Sequence, residues 1–99
     1  TKPKIRSISE DATLMSQGEM ADEVYLILDG MFVVEVDGEP VAEIGPGAVV
    51  GERAALEGGV RTATLRATTR ARVAEVPADQ LDRQALGALA GTHRREGER

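Results

Sequence analysis

Gly51, Glu52 and Arg61 are the residues of this chain whose types and spacing could do chemistry together. They stand in the stretch Gly51-Glu-Arg-Ala-Ala-Leu-Glu-Gly-Gly-Val-Arg-Thr-Ala-Thr64, where the arginine follows nine residues after the carboxylate. A short helix is predicted over Glu52–Leu56. The N-terminus of a helix presents unpaired N–H groups and a partial positive charge, so it is a natural seat for an anion. Arginine adds a planar fork that can grip two phosphate oxygens at once. A carboxylate beside a phosphate would repel it unless it had a donor of its own, such as a sugar hydroxyl. The three together point to a nucleotide lying in a turn. Taken one at a time, the residues also fit plainer roles. Gly51 is then a turn glycine, Glu52 a first-turn carboxylate and Arg61 a solvated charge at a strand start.

The elements that must position these groups are short strands punctuated by glycine turns. Strands are predicted at Ile5–Ile8, Thr13–Met15, Val24–Leu28, Phe32–Val36, Pro40–Ile44, Leu65–Thr68 and Arg72–Val76. Asp29-Gly30 and Asp37-Gly38 read as hairpin turns, because Gly tolerates positive φ and Asp can bond its own backbone. Gly45-Pro46-Gly47 turns the chain again. Many short strands at regular spacing predict an all-β sandwich or barrel. Besides the Glu52–Leu56 turn, a second helix is predicted from about Ala78 to Ala90. There Leu81, Ala85, Leu86 and Leu89 form an apolar stripe, and Asp79 suits the first turn. Residues 92–99 carry no apolar side chain and read as a polar tail or linker, leaving 1–91 as one domain.

Composition narrows the function. Ninety-nine residues suffice for one small core. Apolar residues make up 41% and aromatics 2%, so the interior must be built from Val, Leu, Ile, Ala and Met. A net charge of −5 argues against a nucleic-acid surface, which needs a basic footprint. There is no cysteine, hence no disulfide or thiolate metal site. No apolar run approaches the roughly 18 residues of a membrane span, and no signal-peptide pattern opens the chain. These features predict a soluble, cytoplasmic module; the start at Thr1 rather than Met suggests a longer parent protein. The only histidine, His93, lies in the tail. A metal-binding jelly roll or a Ser-His-Asp site has no material in the core, and no catalytic residue or metal ligand is assigned.

From about Thr13 to Leu81 the chain resembles the cyclic-nucleotide-binding domains of the catabolite activator protein family and of cyclic-nucleotide-dependent kinases and channels. The resemblance is carried by Thr13-Leu-Met-Ser-Gln-Gly-Glu19, Val24-Tyr-Leu-Ile-Leu-Asp-Gly30 and Val73-Ala-Glu-Val-Pro77. Most of all it is carried by Ile44-Gly-Pro-Gly-Ala-Val-Val-Gly-Glu52 leading into Arg61-Thr-Ala-Thr64, which is similar to the phosphate-binding cassette. It implies a mainly β fold, a double-stranded β-helix (jelly roll) with a short cassette helix and a C-terminal helix. It implies a regulatory, non-enzymatic sensor whose ligand is cAMP or cGMP, with cAMP favoured, and whose effector domain lies in the parent protein.

The resemblance also implies residue roles. Gly51 admits the ligand close to the backbone, and Glu52 accepts from the ribose 2′-hydroxyl. Backbone N–H groups around Arg53 and Ala54 face the cyclic phosphate, Arg61 pairs with its oxygens, and Thr62 sits beside phosphate and base. Val41 and Ile44 fall where the base pocket is lined, although plain core residues would fit there equally. Two positions depart from the family pattern: Val60 replaces a frequent proline, and Arg53 a frequent apolar residue. The high Arg, Ala, Gly and Val content suggests a GC-rich bacterial genome. A reading of another class stays open, in which the fold is a ligand-free interaction module that docks a partner or forms a homodimer through the Leu81–Leu89 face.

Overall fold

Side chains alternate between the two faces of a strand, so a strand with one buried face shows every second residue to the core. The segment Thr64–Ala67 follows this rule: Leu65 and Ala67 are buried to 1% and 0% exposure, while Arg66 turns outward to Glu35. The computed structural model describes residues 3–52, 54 and 59–78. Its strands are β1 (Lys4–Ile8), β2 (Thr13–Met15), β3 (Glu23–Asp29), β4 (Phe32–Val36), β5 (Glu39–Ile44), β6 (Val49–Val50), β7 (Thr64–Ala67) and β8 (Ala71–Pro77). They form two four-stranded antiparallel sheets, ordered β1-β8-β3-β6 and β2-β7-β4-β5. This is the expected mainly β jelly roll.

One apolar cluster joins the sheets. Ile8, Tyr25, Ile27, Ala71 and Val73 come from the first, and Leu14, Phe32, Leu65 and Ala67 from the second. Phe32, the only phenylalanine, is completely buried at its centre. Strand β3 is covered on both faces, which explains its unbroken apolar run. Tyr25 and Ile27 face the main core, whereas Val24 faces a second cluster with Ala21, Val49, Ala54 and Ala78. Ala54 and Ala78 thereby pack on the outer face of the first sheet.

The turns behave differently from one another. Asp37 and Gly38 have φ of 53° and 82° and close a two-residue hairpin between the paired Val36 and Glu39. Positive φ at both central residues is what such a turn requires. Asp29-Gly30, expected to close a hairpin, instead carries the chain from one sheet to the other, since β3 and β4 lie in different sheets. There the Met31 N–H donates to Thr69 Oγ1 at 3.1 Å, and Met31 O accepts from the Thr68 N–H at 2.9 Å. Strand β6 was not expected, because two residues after Gly-Pro-Gly are too short for a periodic signal. The helix predicted from Ala78 to Ala90, apart from Ala78 itself, the polar tail 92–99 and residues 55–58 lie outside the described residues. Residues 52 and 54 are helical, at the start of the segment predicted as a short helix.

Candidate functional site

Strand pairing brings Gly51 and Arg61 to one place. Val50 of β6 pairs with Tyr25 of β3, so the next residue, Gly51, emerges beside the start of β3. Residues 59–61 are then laid along residues 18–21. The Ala21 N–H donates to Gly59 O at 3.1 Å, Met20 and Val60 form an antiparallel bridge, and the Arg61 N–H donates to Glu19 O at 2.8 Å. The Gly18 N–H returns a bond to Arg61 O at 2.8 Å. With its backbone fixed on both sides, Arg61 must send its side chain inward across β3.

Arg61 is 3% exposed, so the plain reading of a solvated strand-start charge does not hold. Its Nη2 donates to Glu23 O at 2.7 Å and its Nη1 to Gly51 O at 3.4 Å. The guanidinium carbon lies 5.7 Å from the centre of the Tyr25 ring, within cation–π range. Among the described residues, no carboxylate lies within ion-pair distance of this guanidinium. Among the described residues, this buried cation is held by two carbonyls and a ring, which use only part of its hydrogen-bonding capacity and give its charge no bonded counter-ion. It is an anion-seeking group.

Gly51 is shaped to this arginine. Its φ is +83°, and a Cβ built there would fall onto Arg61 Nη1. Glycine serves both as the left-handed turn and as the space for the guanidinium. Glu52 is half-buried at the next position. Ala54 packs against Val24 in the second cluster. Arg53 lies outside the described residues. Thr62 is exposed. Ile44 packs against the main core, whereas Val41 is 60% exposed on the outermost strand. Neither lines the cleft into which Arg61 opens. Away from this site, Glu35 pairs with Arg66 at 2.8 Å and Asp37 accepts from Gln17 at 2.9 Å.

That cleft has a volume of about 430 Å³ and is lined by Leu14, Met15, Glu19, Met20, Asp22, Glu23, Tyr25 and Arg61. Three carboxylates and one guanidinium give it a net negative lining. The Tyr25 hydroxyl donates to Glu23 Oε1 at 3.3 Å. Burial pushes this hydroxyl up to about 12, and the nearby carboxylates of Glu23 and Glu75 add to the effect, while Arg61 and Arg6 oppose it. Arg6 donates to Glu75 at 2.7 Å, and that hydrogen bond raises the arginine above its ordinary value.

Sequence reasoning missed Tyr25, Glu23, Glu19 and Asp22. Tyr25 sits inside an apolar run and reads as core. The decisive group of Glu23 is a backbone carbonyl, which residue type does not announce.

A family model described as cyclic nucleotide-binding domain matches residues 5–86. A cyclic nucleotide-gated potassium channel of Rhizobium etli is 34% identical over 64 residues, covering 65% of this chain and 18% of that protein. The regulatory subunit of a cAMP-independent protein kinase A from Trypanosoma brucei superposes with a TM-score of 0.81 at 22% identity, over 99% of this chain and 36% of that one. The EAL enzyme Bd1971 in its cAMP-bound form superposes with a TM-score of 0.70 at 24% identity, over 93% of this chain and 28% of the enzyme. The same enzyme has been solved bound to cGMP. This chain thus spans well under half the length of each relative.

Proposed function

Because the chain belongs to the cyclic nucleotide-binding domain family, a family of regulatory modules, we propose that it senses a 3′,5′-cyclic nucleotide, cAMP ahead of cGMP, and controls an effector carried elsewhere in its parent protein. The observation that carries this reading is the buried Arg61 guanidinium with no carboxylate at ion-pair distance among the described residues. A phosphodiester supplies the missing charge. In this reading Gly51 admits the cyclic phosphate to the backbone, and amides near Arg53 and Ala54 donate to it. Glu52 accepts from the ribose 2′-hydroxyl, and Thr62 sits beside the phosphate and base.

Charge also argues for a cyclic ligand over a linear one. Glu19, Asp22 and Glu23 share the cleft with Arg61. One guanidinium among three carboxylates suits a monoanionic phosphodiester better than a dianionic monophosphate. The interaction-module reading leaves the buried cation without a purpose.

The effector is biased by differential affinity: a nucleotide shifts the equilibrium only as far as it prefers one arrangement. At a hundred times the dissociation constant, one site stabilises the bound form by about 2.7 kcal/mol. Titration calorimetry with cAMP, cGMP and AMP tests the proposal. The expected order is cAMP, then cGMP, with AMP far weaker. Absence of heat from both cyclic nucleotides at millimolar concentration would refute it.

A further inference from the structure

We propose that Tyr25 is a positioning residue for Arg61, its ring forming the surface against which the guanidinium is held for the phosphate. The inference rests on the cyclic-nucleotide reading and adds to it a residue which that reading does not use. Both side chains are 3% exposed, and the guanidinium carbon stands over the ring at 5.7 Å. Glu23 touches both side chains. Its carbonyl accepts from Arg61 Nη2 at 2.7 Å, and its carboxylate accepts from the Tyr25 hydroxyl at 3.3 Å. With no carboxylate fork at ion-pair distance among the described residues, two carbonyls and one π-face fix where the cation points. An aliphatic side chain at position 25 would fill the core without offering the negative face of an aromatic ring.

The experiment compares wild type, Tyr25→Phe and Tyr25→Leu as purified 99-residue chains, by calorimetry with cAMP and by NMR of the Arg61 Nε–H group. In unliganded wild type and Tyr25→Phe, the ring current should displace the Arg61 Nε–H proton resonance, and in Tyr25→Leu the displacement should vanish. Affinity should stay near wild type in Tyr25→Phe and fall by about tenfold in Tyr25→Leu, a factor worth about 1.4 kcal/mol and typical of a desolvated cation–π contact. A Tyr25→Leu chain that binds cAMP as tightly as Tyr25→Phe overturns the positioning role alone. So does a loss of affinity with the Arg61 resonance unmoved, because that pattern marks a purely structural defect. If wild type binds no cyclic nucleotide, the functional reading fails and the positioning role falls with it, even where the ring-current shift is seen.

Discussion

Gly51 and Arg61 stand ten residues apart in sequence and occupy one another's space: the Arg61 Nη1 donates to the Gly51 carbonyl, and a side chain at position 51 would sit where that nitrogen is. Gly51→Ala therefore meets two penalties, a left-handed backbone that L residues avoid and a collision with a buried cation. Unfolding in urea should show a loss of roughly 1–3 kcal/mol. Cyclic-nucleotide binding should disappear with it. An unchanged urea midpoint would contradict the packing described for this pair.

Arg61→Ala should weaken cAMP binding by roughly 2–5 kcal/mol, the usual loss for one partner of a buried charge pair. Arg61→Lys should not restore it fully, since an ammonium lacks the planar fork that bonds two acceptors together. Calorimetry on the three chains decides the matter. Equal affinity for wild type and Arg61→Ala would remove this residue from the site.

Glu52 is half-buried beside Gly51, and its assigned partner in the ligand is a hydroxyl rather than the phosphate. A cAMP analogue lacking the 2′-hydroxyl should bind wild type more weakly by about 1.5–3 kcal/mol, the usual worth of a hydrogen bond to a charged group. It should bind Glu52→Ala no worse than cAMP does. The double comparison isolates the contact, and equal affinity of wild type for both ligands would count against it.

Tyr25 is the only tyrosine of the chain, so an alkaline absorbance titration reads it alone. Its hydroxyl is pushed up to about 12, against about 10 in an unfolded chain. A folded value above the unfolded one means that the associated stability is complete below pH of about 10 and is lost as pH rises toward 12. Because Arg61 pulls the value down, Arg61→Ala should raise it further. A midpoint near the unfolded value would show the ring to be wetter than the structure has it.

Phe32 lies at the meeting of the two sheets with no exposed surface. Phe32→Ala should cost about 3–5 kcal/mol through lost burial and a residual cavity. That is a large share of the roughly 5–15 kcal/mol available to a small domain. Denaturant melts would reveal it as a lower midpoint with little change in slope.

Much of the fold was legible because short runs of strand-forming residues ended by glycine turns mark strands directly. Thr13–Met15 and Phe32–Val36 form over the expected residues, and the other predicted strands differ by one residue at one or both ends. The exceptions are places where tertiary context decides. The two residues of β6 carry no period, and Asp29-Gly30 has the chemistry of a hairpin but serves a crossing between sheets. At the site, Gly51 and Arg61 could be singled out from type and spacing. Their direct contact could not, because it depends on β6 pairing with β3. Glu23 was invisible for a related reason: its contribution to Arg61 is a main-chain oxygen, which any residue there would supply.

The peptide groups at the head of β3 have a consequence for the rest of the chain. Asp22 O accepts from the Ala78 N–H at 2.7 Å, and the very next carbonyl, that of Glu23, accepts from Arg61. The polypeptide passes beyond Pro77 tethered one peptide unit from the guanidinium's seat. Two adjacent carbonyls, Asp22 O and Glu23 O, thus hold the end of β8 and the guanidinium side by side through main-chain groups that any residue type there would supply.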